Sequence, residues 1–387
     1  MRTSKCFLIA TVALLATAGV SIASETTTCD PLSSIIDVQK YFRAIHIMAM
    51  LLLGFGFLMV FVKKYGRSTI TATYLLVSIA IPLYFLKDSL GLMGGVDSDI
   101  DRLILAEFGA ASLLICAGAV LGRLKMAQYM LLGLLFVPFY ALNEWILLEG
   151  GLGLIEHGRF VDTGGSIVIH AFGALFGLGV AASMTTKKEF ETPIEADATS
   201  DRFSLLGSMV LWVFWPSFCG ALVAPADIPA TIVNVIIALC GSTIATYAAS
   251  LKLRGKVGVA DIANAALAGG VAIGSTCDRV SPLIAFAIGI LAGGLSTFGF
   301  AVIQDRFQNA IKKIDTCGVL YLHGLPGLFG GLVAMLAVNG ISRGDQIKGI
   351  GITIVIAMVS GLITGKILSL TGRRTEPYTD SEELVID

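Results

Sequence analysis

The sequence predicts an all-α integral membrane protein built as a bundle of eleven transmembrane helices. Of its 387 residues, 55% are hydrophobic and only 14% are charged. Soluble domains carry roughly 25% charged residues, so this chain lacks the polar surface that water requires. Its 44 glycines fit a helical membrane bundle, because glycine lets helix backbones approach closely. A net charge of −1 also excludes a nucleic-acid-binding protein.

Residues 1–24 have the pattern of a secretory signal peptide. Arg2 and Lys5 form its positive region, an apolar stretch covers 6–20, and small residues at 21–24 form a cleavage site. The apolar stretch is shorter than the roughly 20 residues that span a bilayer. Cleavage near Ala23 is therefore favoured over an uncleaved anchor helix.

Eleven apolar stretches of near-spanning length follow the signal. Only helices or closed barrels can span a bilayer, and stretches this long and uniformly apolar are helices. They lie at 39–63, 69–87, 101–122, 126–148, 163–185, 203–223, 229–251, 259–276, 280–303, 317–338 and 348–370. The sequence thus divides into a transmembrane domain at 25–370 and a polar, mobile cytoplasmic tail at 371–387.

The distribution of Lys and Arg predicts the orientation. A cleaved signal leaves the mature N-terminus outside, so the first loop and every second loop after it should be cytoplasmic. Those loops and the tail hold sixteen basic residues: Lys63, Lys64, Arg67, Arg123, Lys125, Lys187, Lys188, Arg202, Lys252, Arg254, Lys256, Arg306, Lys312, Lys313, Arg373 and Arg374. The opposite side holds eight: Lys40, Arg43, Lys87, Arg102, Arg159, Arg279, Arg343 and Lys348. This excess predicts an odd number of helices and a cytoplasmic C-terminus. The expected location of this multi-pass protein is the cell (inner) membrane.

Two stretches of the chain form an internal repeat. The sequences are DTGGSIVIH, ending at His170, and DTCGVLYLH, ending at His323, each followed by Leu-Phe-Gly at one offset. The first opens the fifth predicted helix and the second opens the tenth, and these two helices start at opposite faces. Helices 1–5 and 6–10 are therefore predicted to form an inverted-topology repeat, a transporter architecture with its substrate site near the midplane.

The spacing within the repeat predicts where the two histidines meet. Asp162 and Asp315 each suit a helix N-cap. A histidine eight residues further along a helix lies about 12 Å deeper, and half a hydrocarbon core is about 15 Å thick. His170 and His323 should therefore meet near the centre of the membrane, where polar side chains are costly and usually functional.

Intramembrane histidines can have other roles. A single intramembrane histidine is often an interhelical hydrogen-bond partner, and the repeated spacing argues against that for the pair. Paired histidines can also hold a haem, but only His46 and His157 remain, and His157 lies in a loop. No C-x-x-C or His/Cys cluster suggests zinc, so no metal or cofactor is predicted. Cys29 and Cys277 could both face the oxidising side.

Several longer motifs resemble those of one known family. They include GFGFLM at 54–59, AEFGAA at 106–111, Asn143-Glu144, FWPSF at 214–218, DIANAALAGGVA at 261–272 and both histidine segments. Over residues 37–370 the chain resembles the Amt/Rhesus superfamily, and within it the Rhesus branch. Glu144, a carboxylate within the fourth helix, has no assigned role and by default links helices.

The resemblance implies a homotrimer in which each subunit has its own ammonia pore. It implies roles for seven residues: His170 and His323 as twin pore histidines, Phe108 and Phe218 as a stacked outer gate, Asp162 as support of the external vestibule, Asp315 as its pseudo-symmetric mate, and Trp215 as a supporting residue. Without the resemblance, each phenylalanine would be interpreted as core packing.

The chain departs from the Amt branch outside the gate. Amt proteins build an external ammonium site from a cage tryptophan and a serine just beyond the gate phenylalanine. Here residues 150–161 contain no tryptophan, and Phe218 is followed by Cys219. Cation–π capture of ammonium is thereby weakened, which favours the lower-affinity conductance of the Rhesus type.

The expected function is gradient-driven transport of ammonia or ammonium, with ammonia crossing as the neutral species because a buried ion is costly. Methylammonium is a related substrate, and carbon dioxide is the alternative. A rival of another class is an ammonium sensor signalling through the tail, although the residues after Thr371 contain no recognisable signalling domain. No nucleophile–base pair suggests an enzyme.

Overall fold

The structure is a computed structural model and describes residues 31–385. The predicted signal peptide and Cys29 lie outside the described residues. Eleven helical segments were predicted, and the structure contains them: α1 Pro31–Phe61, α2 Gly66–Ser89, α3 Asp99–Ala119, α4 Met126–Leu148, α5 Ser166–Met184, α6 Ala198–Cys219, α7 Ile228–Arg254, α8 Val259–Ile273, α9 Pro282–Ile311, α10 Leu320–Ala337 and α11 Arg343–Leu370. All except α8 are long and apolar enough to cross a membrane.

The eighth segment differs from its prediction as one helix over 259–276. It forms two short helices, Val259–Ala265 and Ala268–Ile273. Alanine and glycine dominate here, and a Cβ at Gly269 would lie 2.2 Å from the carbonyl oxygen of Ala238 on α7. A broken helix is tolerated at membrane depth where protein surrounds it, and at the break the Ser242 hydroxyl on α7 donates to the carbonyl oxygen of Ala266.

Helices α5 and α10 run antiparallel, as the inverted repeat predicted. Thr185, just after α5, accepts from Arg123 at 2.6 Å, and Arg123 also donates to the carbonyl oxygen of Ile314, just before α10. At the other face, Val161 precedes α5 and packs with Val338 at the end of α10. Each helix therefore begins where the other ends.

Glycines bring the most extensively paired helices into backbone contact. Helix α11 packs along α5, and α9 packs along α7. A Cβ at Gly361 on α11 would lie 2.2 Å from the carbonyl oxygen of Phe176, and one at Gly289 on α9 would lie 2.1 Å from that of Ala238. Small residues drive helix association in membranes because burial of apolar surface supplies little force there.

The C-terminal segment packs against the bundle as far as it is described, whereas its polarity had predicted a mobile tail. Asp380 accepts from the backbone N–H of Ser68 at 2.8 Å, and Glu383 accepts from that of Met126 at 2.9 Å. These carboxylates cap the starts of α2 and α4. Arg374 is 7% exposed and pairs with Glu383 at 3.4 Å.

The close contact at Gly361 generates a stability prediction. Gly361→Ala should lower the free energy of unfolding by about 1–3 kcal/mol, because the new methyl group overpacks the α5–α11 contact. Thermal unfolding of the purified protein in detergent would measure this. The matched control is Gly351→Ala on the same helix, where an added Cβ meets no atom within 4 Å. Equal destabilisation by both substitutions would contradict the packing argument.

Candidate functional site

The two histidines of the repeat meet inside the bundle. His170 is 2% exposed and His323 is 3% exposed. Their Nδ1 atoms are 3.1 Å apart, and the ring planes differ by 5°. A neutral imidazole has one donor and one acceptor nitrogen, so one Nδ1 donates to the other. The two Nε2 atoms must then differ, one carrying a proton and the other a lone pair.

Both histidines lie in π-helical turns, Ser166–Ala171 on α5 and Leu320–Gly324 on α10. A glycine precedes each turn at the same place in the repeat, Gly165 with φ +75° and Gly318 with φ +68°. Only glycine adopts this conformation without strain. The glycine of the shared Asp-Thr-x-Gly motif therefore sets the start of the turn, and π turns are frequent at functional sites.

The aspartates of the repeat bind the first free N–H groups of these helices. Asp162 accepts from the backbone of Ile167 at 3.0 Å and from the Ser275 hydroxyl at 2.6 Å. Asp315 accepts from the backbone N–H groups of Val319 and Leu320, both at 3.0 Å. These hydrogen bonds agree with the prediction that the aspartates cap the helices. The sequence predicted them as the N-cap residues themselves, whereas the N-cap residues are Gly165 and Val319. The turn at the glycine places each carboxylate within hydrogen-bond distance of the first N–H groups of the helix.

Asp162 and Asp315 lie outside the membrane-spanning helices but are buried. Burial raises the pKa of Asp162 to about 6, although hydrogen bonds from Ser275 and the backbone favour its ionised form. Burial also raises the pKa of Asp315, partly offset by its backbone hydrogen bonds and by the Arg123 charge. Desolvation therefore opposes the charged form at both positions.

Phe108 and Phe218 lie together beside the histidines, but their rings are tilted and not stacked as the resemblance implied. Their ring centroids are 4.7 Å apart with an interplanar angle of 54°. The centroid of the Phe218 ring is 6.1 Å from that of His170. Both phenylalanines are buried, so the pair covers one side of the histidine contact.

A cavity of about 290 Å³ lies on the Asp162 side of the two phenylalanines. We call it the outer vestibule, after the predicted orientation. Its lining includes Phe108, Tyr140, Glu144, Asp162 and Arg279. It is large enough for several water molecules, and charged side chains form part of its wall.

A much smaller cavity, which we call the inner cavity, lies on the other side of the histidines. Its volume is about 20 Å³, and its lining includes Phe55, Leu114, Asn264, Leu322 and His323. A cavity needs about 10–15 Å³ to hold a water molecule, so there is room for one molecule of that size. The histidine pair separates this space from the outer vestibule.

Trp215 forms a wall of the site. Its ring lies 5.5 Å from that of His170 with an interplanar angle of 17°. The side chain is 1% exposed, and the indole N–H has no hydrogen-bond partner among the described residues. Trp215 therefore fixes the imidazole by packing.

Glu144 and Phe55 line the two cavities and are among the lining residues that were not in the predicted site. Glu144 accepts from the hydroxyls of Tyr84 at 2.5 Å and Tyr140 at 3.1 Å and also lines the outer vestibule. The carboxylate within an apolar span was the available signal. Phe55 lies 6.1 Å from His323, and nothing distinguished it from the apolar residues around it.

The remaining chemistry-bearing residues do not join the site. His46 bonds to the Ser217 hydroxyl at 2.9 Å and stacks on Phe214. Within residues 31–385, no three His, Cys, Asp or Glu side chains are grouped to hold a metal ion. Cys277 is free, and its buried thiol contacts that of Cys219.

Comparisons with known proteins give a consistent result. Residues 6–384 match the model of the Ammonium Transporter Family. The curated "Ammonium transporter Rh type A" of Bos taurus is 37% identical over 357 residues, covering 87% of this chain and 82% of the relative. The solved structure described as "Nitrosomonas europaea Rh50 and mechanism of conduction by Rhesus protein family of channels" is 52% identical and has a TM-score of 0.89, covering 91% of this chain and 93% of that one. Candida albicans Mep2 shares the fold, with 17% identity, a TM-score of 0.72 and coverage of 85% and 82%.

The aspartate contacts predict a loss of stability independent of function. Asp162→Ala and Asp315→Ala should each lower the free energy of unfolding by about 1–3 kcal/mol, because buried backbone N–H groups lose their acceptor. Asp162→Asn keeps one acceptor oxygen and should cost less than Asp162→Ala. Exposed Asp305→Ala serves as the control in thermal unfolding. Alanine variants as stable as the wild type would show that these carboxylates do not hold the turns.

Proposed function

Because this chain belongs to the ammonium transporter family, we propose that it conducts ammonia across a membrane between the outer vestibule and the inner cavity. The observation that carries the proposal is the buried contact between His170 and His323, which lies between these two spaces. Gradients drive the flux. Membership of a transporter family also argues against an enzyme.

The cost of burying charge determines which species crosses. An ion at mid-membrane depth is far more costly than a neutral molecule. Ammonium therefore collects in the outer vestibule, near Asp162, and transfers its proton to water there before the Phe108–Phe218 pair. Neutral ammonia, without the proton, passes the two phenylalanine rings and continues toward the histidine pair.

The histidine pair can solvate ammonia without introducing charge. In one tautomer of the pair, the Nε2 of His170 accepts a hydrogen bond and that of His323 donates one; in the other tautomer these roles exchange. His170 Nε2 has no other hydrogen-bond partner in the described structure. Ammonia, which both donates and accepts, fits this arrangement in single file. The inner cavity, with room for one such molecule, continues the path.

The proposal extends to the location, the orientation and the oligomeric state of the protein. The protein is a multi-pass integral membrane protein, and we propose the inner membrane as its location, with the mature N-terminus outside and the C-terminal segment cytoplasmic. The excess of Lys and Arg on the predicted cytoplasmic side supports this orientation. We further propose a homotrimer in the lipid bilayer, each subunit with its own passage, and methylammonium as a second substrate.

Flux through proteoliposomes tests the histidine assignment. His170→Ala and His323→Ala should each slow ammonia flux about tenfold, because losing a hydrogen bond worth about 1–1.5 kcal/mol raises the barrier by that amount. Stopped-flow measurement of luminal pH after an ammonium jump gives the rate. His46→Ala, which removes a histidine bonded to Ser217 outside the passage, should leave the flux unchanged.

Unaltered ammonia flux in both histidine variants would refute the pore assignment. The same vesicles challenged with carbon dioxide discriminate the alternative substrate. Acceleration of carbon dioxide flux without acceleration of ammonia flux would replace the proposed substrate.

The pKa of Asp162 predicts how ammonium capture depends on pH. Because burial raises this pKa to about 6, the carboxylate is ionised above that pH and neutral below it. The half-saturation concentration for ammonium should therefore rise as pH falls from about 7.5 to about 5. Asp162→Asn should show a high, pH-independent value. A wild-type profile parallel to that of the variant would exclude Asp162 as the capturing charge.

A further inference from the structure

Arg279 is the single basic residue among the described residues that line the outer vestibule. Its side chain is 50% exposed. The same residue also lines a neighbouring cavity of about 350 Å³, together with Arg159 and Ser342. The guanidinium therefore stands at the rim between two spaces, where it opposes the approach of a cation to the vestibule.

Asp278 holds Arg279 at this rim. Its carboxylate Oδ2 lies 3.3 Å from the Arg279 Nε, and its side chain is 14% exposed. The other oxygen accepts from the Thr163 hydroxyl at 2.8 Å. Thr163 directly follows Asp162 and itself lines the vestibule. The carboxylate thus engages a partner with each oxygen.

Two further carboxylates on the vestibule wall are engaged within the protein. Both oxygens of Glu144 accept from tyrosine hydroxyls, and Asp162 binds backbone N–H groups and Ser275. Burial disfavours ionisation of Asp162. The negative charge available to ammonium is therefore limited. One guanidinium at the rim then substantially changes the net charge that an approaching ammonium ion meets.

Arg159, the other arginine of the neighbouring cavity, differs from Arg279. It pairs with Asp345 at 2.7 Å and with Glu156 at 3.5 Å, so two acids neutralise it. It does not line the outer vestibule among the described residues. Arg159 therefore provides a matched control on the same surface.

We propose that the Arg279–Asp278 pair sets the apparent affinity of the outer vestibule for ammonium. Arg279 is the opposing charge, and Asp278 is the positioning residue that partly neutralises it. The inference rests on the proposed ammonium transport. It concerns the half-saturation concentration, whereas the maximal flux depends on the passage through the phenylalanine and histidine pairs.

The test measures ammonium chloride uptake by proteoliposomes as a function of concentration at low and high salt. Arg279→Gln should lower the half-saturation concentration about threefold or more at low ionic strength, with an unchanged maximal flux. Added salt should reduce the difference, because the Debye length falls from about 30 Å at 0.01 M to about 3 Å at 1 M. Arg279→Lys keeps the charge and should behave as the wild type, and Arg159→Gln should have no effect.

Asp278→Asn provides the opposite change and covers the case in which Arg279→Gln does not fold. It leaves the guanidinium without its counter-charge and should raise the half-saturation concentration. Equal half-saturation concentrations in wild type and Arg279→Gln at low salt, or a decrease in Asp278→Asn, would overturn the proposal. Absence of ammonium-dependent flux in the wild type would instead refute the proposed function itself.

Discussion

The contact between the Nδ1 atoms of His170 and His323 constrains the whole arrangement. Two helices that begin at opposite faces must deliver their imidazoles to one depth and orient the rings parallel to within 5°. Each helix start is therefore fixed by a left-handed glycine, by a carboxylate bound to the first free N–H groups, and by a π turn. The same local solution occurs twice because the geometric requirement is the same from either face.

Such accuracy requires a rigid scaffold, which apolar burial alone does not supply within a bilayer. Close backbone contacts at Gly361 and Gly289 hold the long helices in fixed positions. Polar ties at the bundle ends add to them, including Arg123 between α5 and α10 and the carboxylates of the C-terminal segment. The helices that carry the histidines are thus supported along their length and at their ends.

Along the proposed path, the chemical character of the wall changes from the outer vestibule to the inner cavity. The outer vestibule has acidic and basic groups in its wall, whereas the phenylalanine pair is apolar and the histidine pair offers hydrogen bonds without a required charge. This order matches the free energy of an ammonium ion, which falls where charges compensate it and rises steeply where they do not. In the proposed mechanism, capture of ammonium and exclusion of charge are therefore carried out by different residues.

The sequence by itself determined the membrane bundle, its eleven segments and the meeting of His170 and His323, because apolar length and a repeated spacing are local properties. Patterns within one segment gave wrong predictions where contacts with neighbouring segments determine the structure. The eighth segment is broken at a point where a hydroxyl on α7 binds one of its carbonyl oxygens. The C-terminal segment packs against the bundle because its carboxylates accept from the free N–H groups at two helix starts. The place of Glu144 in the vestibule wall and the pairing of Arg279 with Asp278 likewise needed the tertiary structure. A pattern along one helix predicts its depth in the membrane, but only the packed bundle brings side chains from several helices around one space.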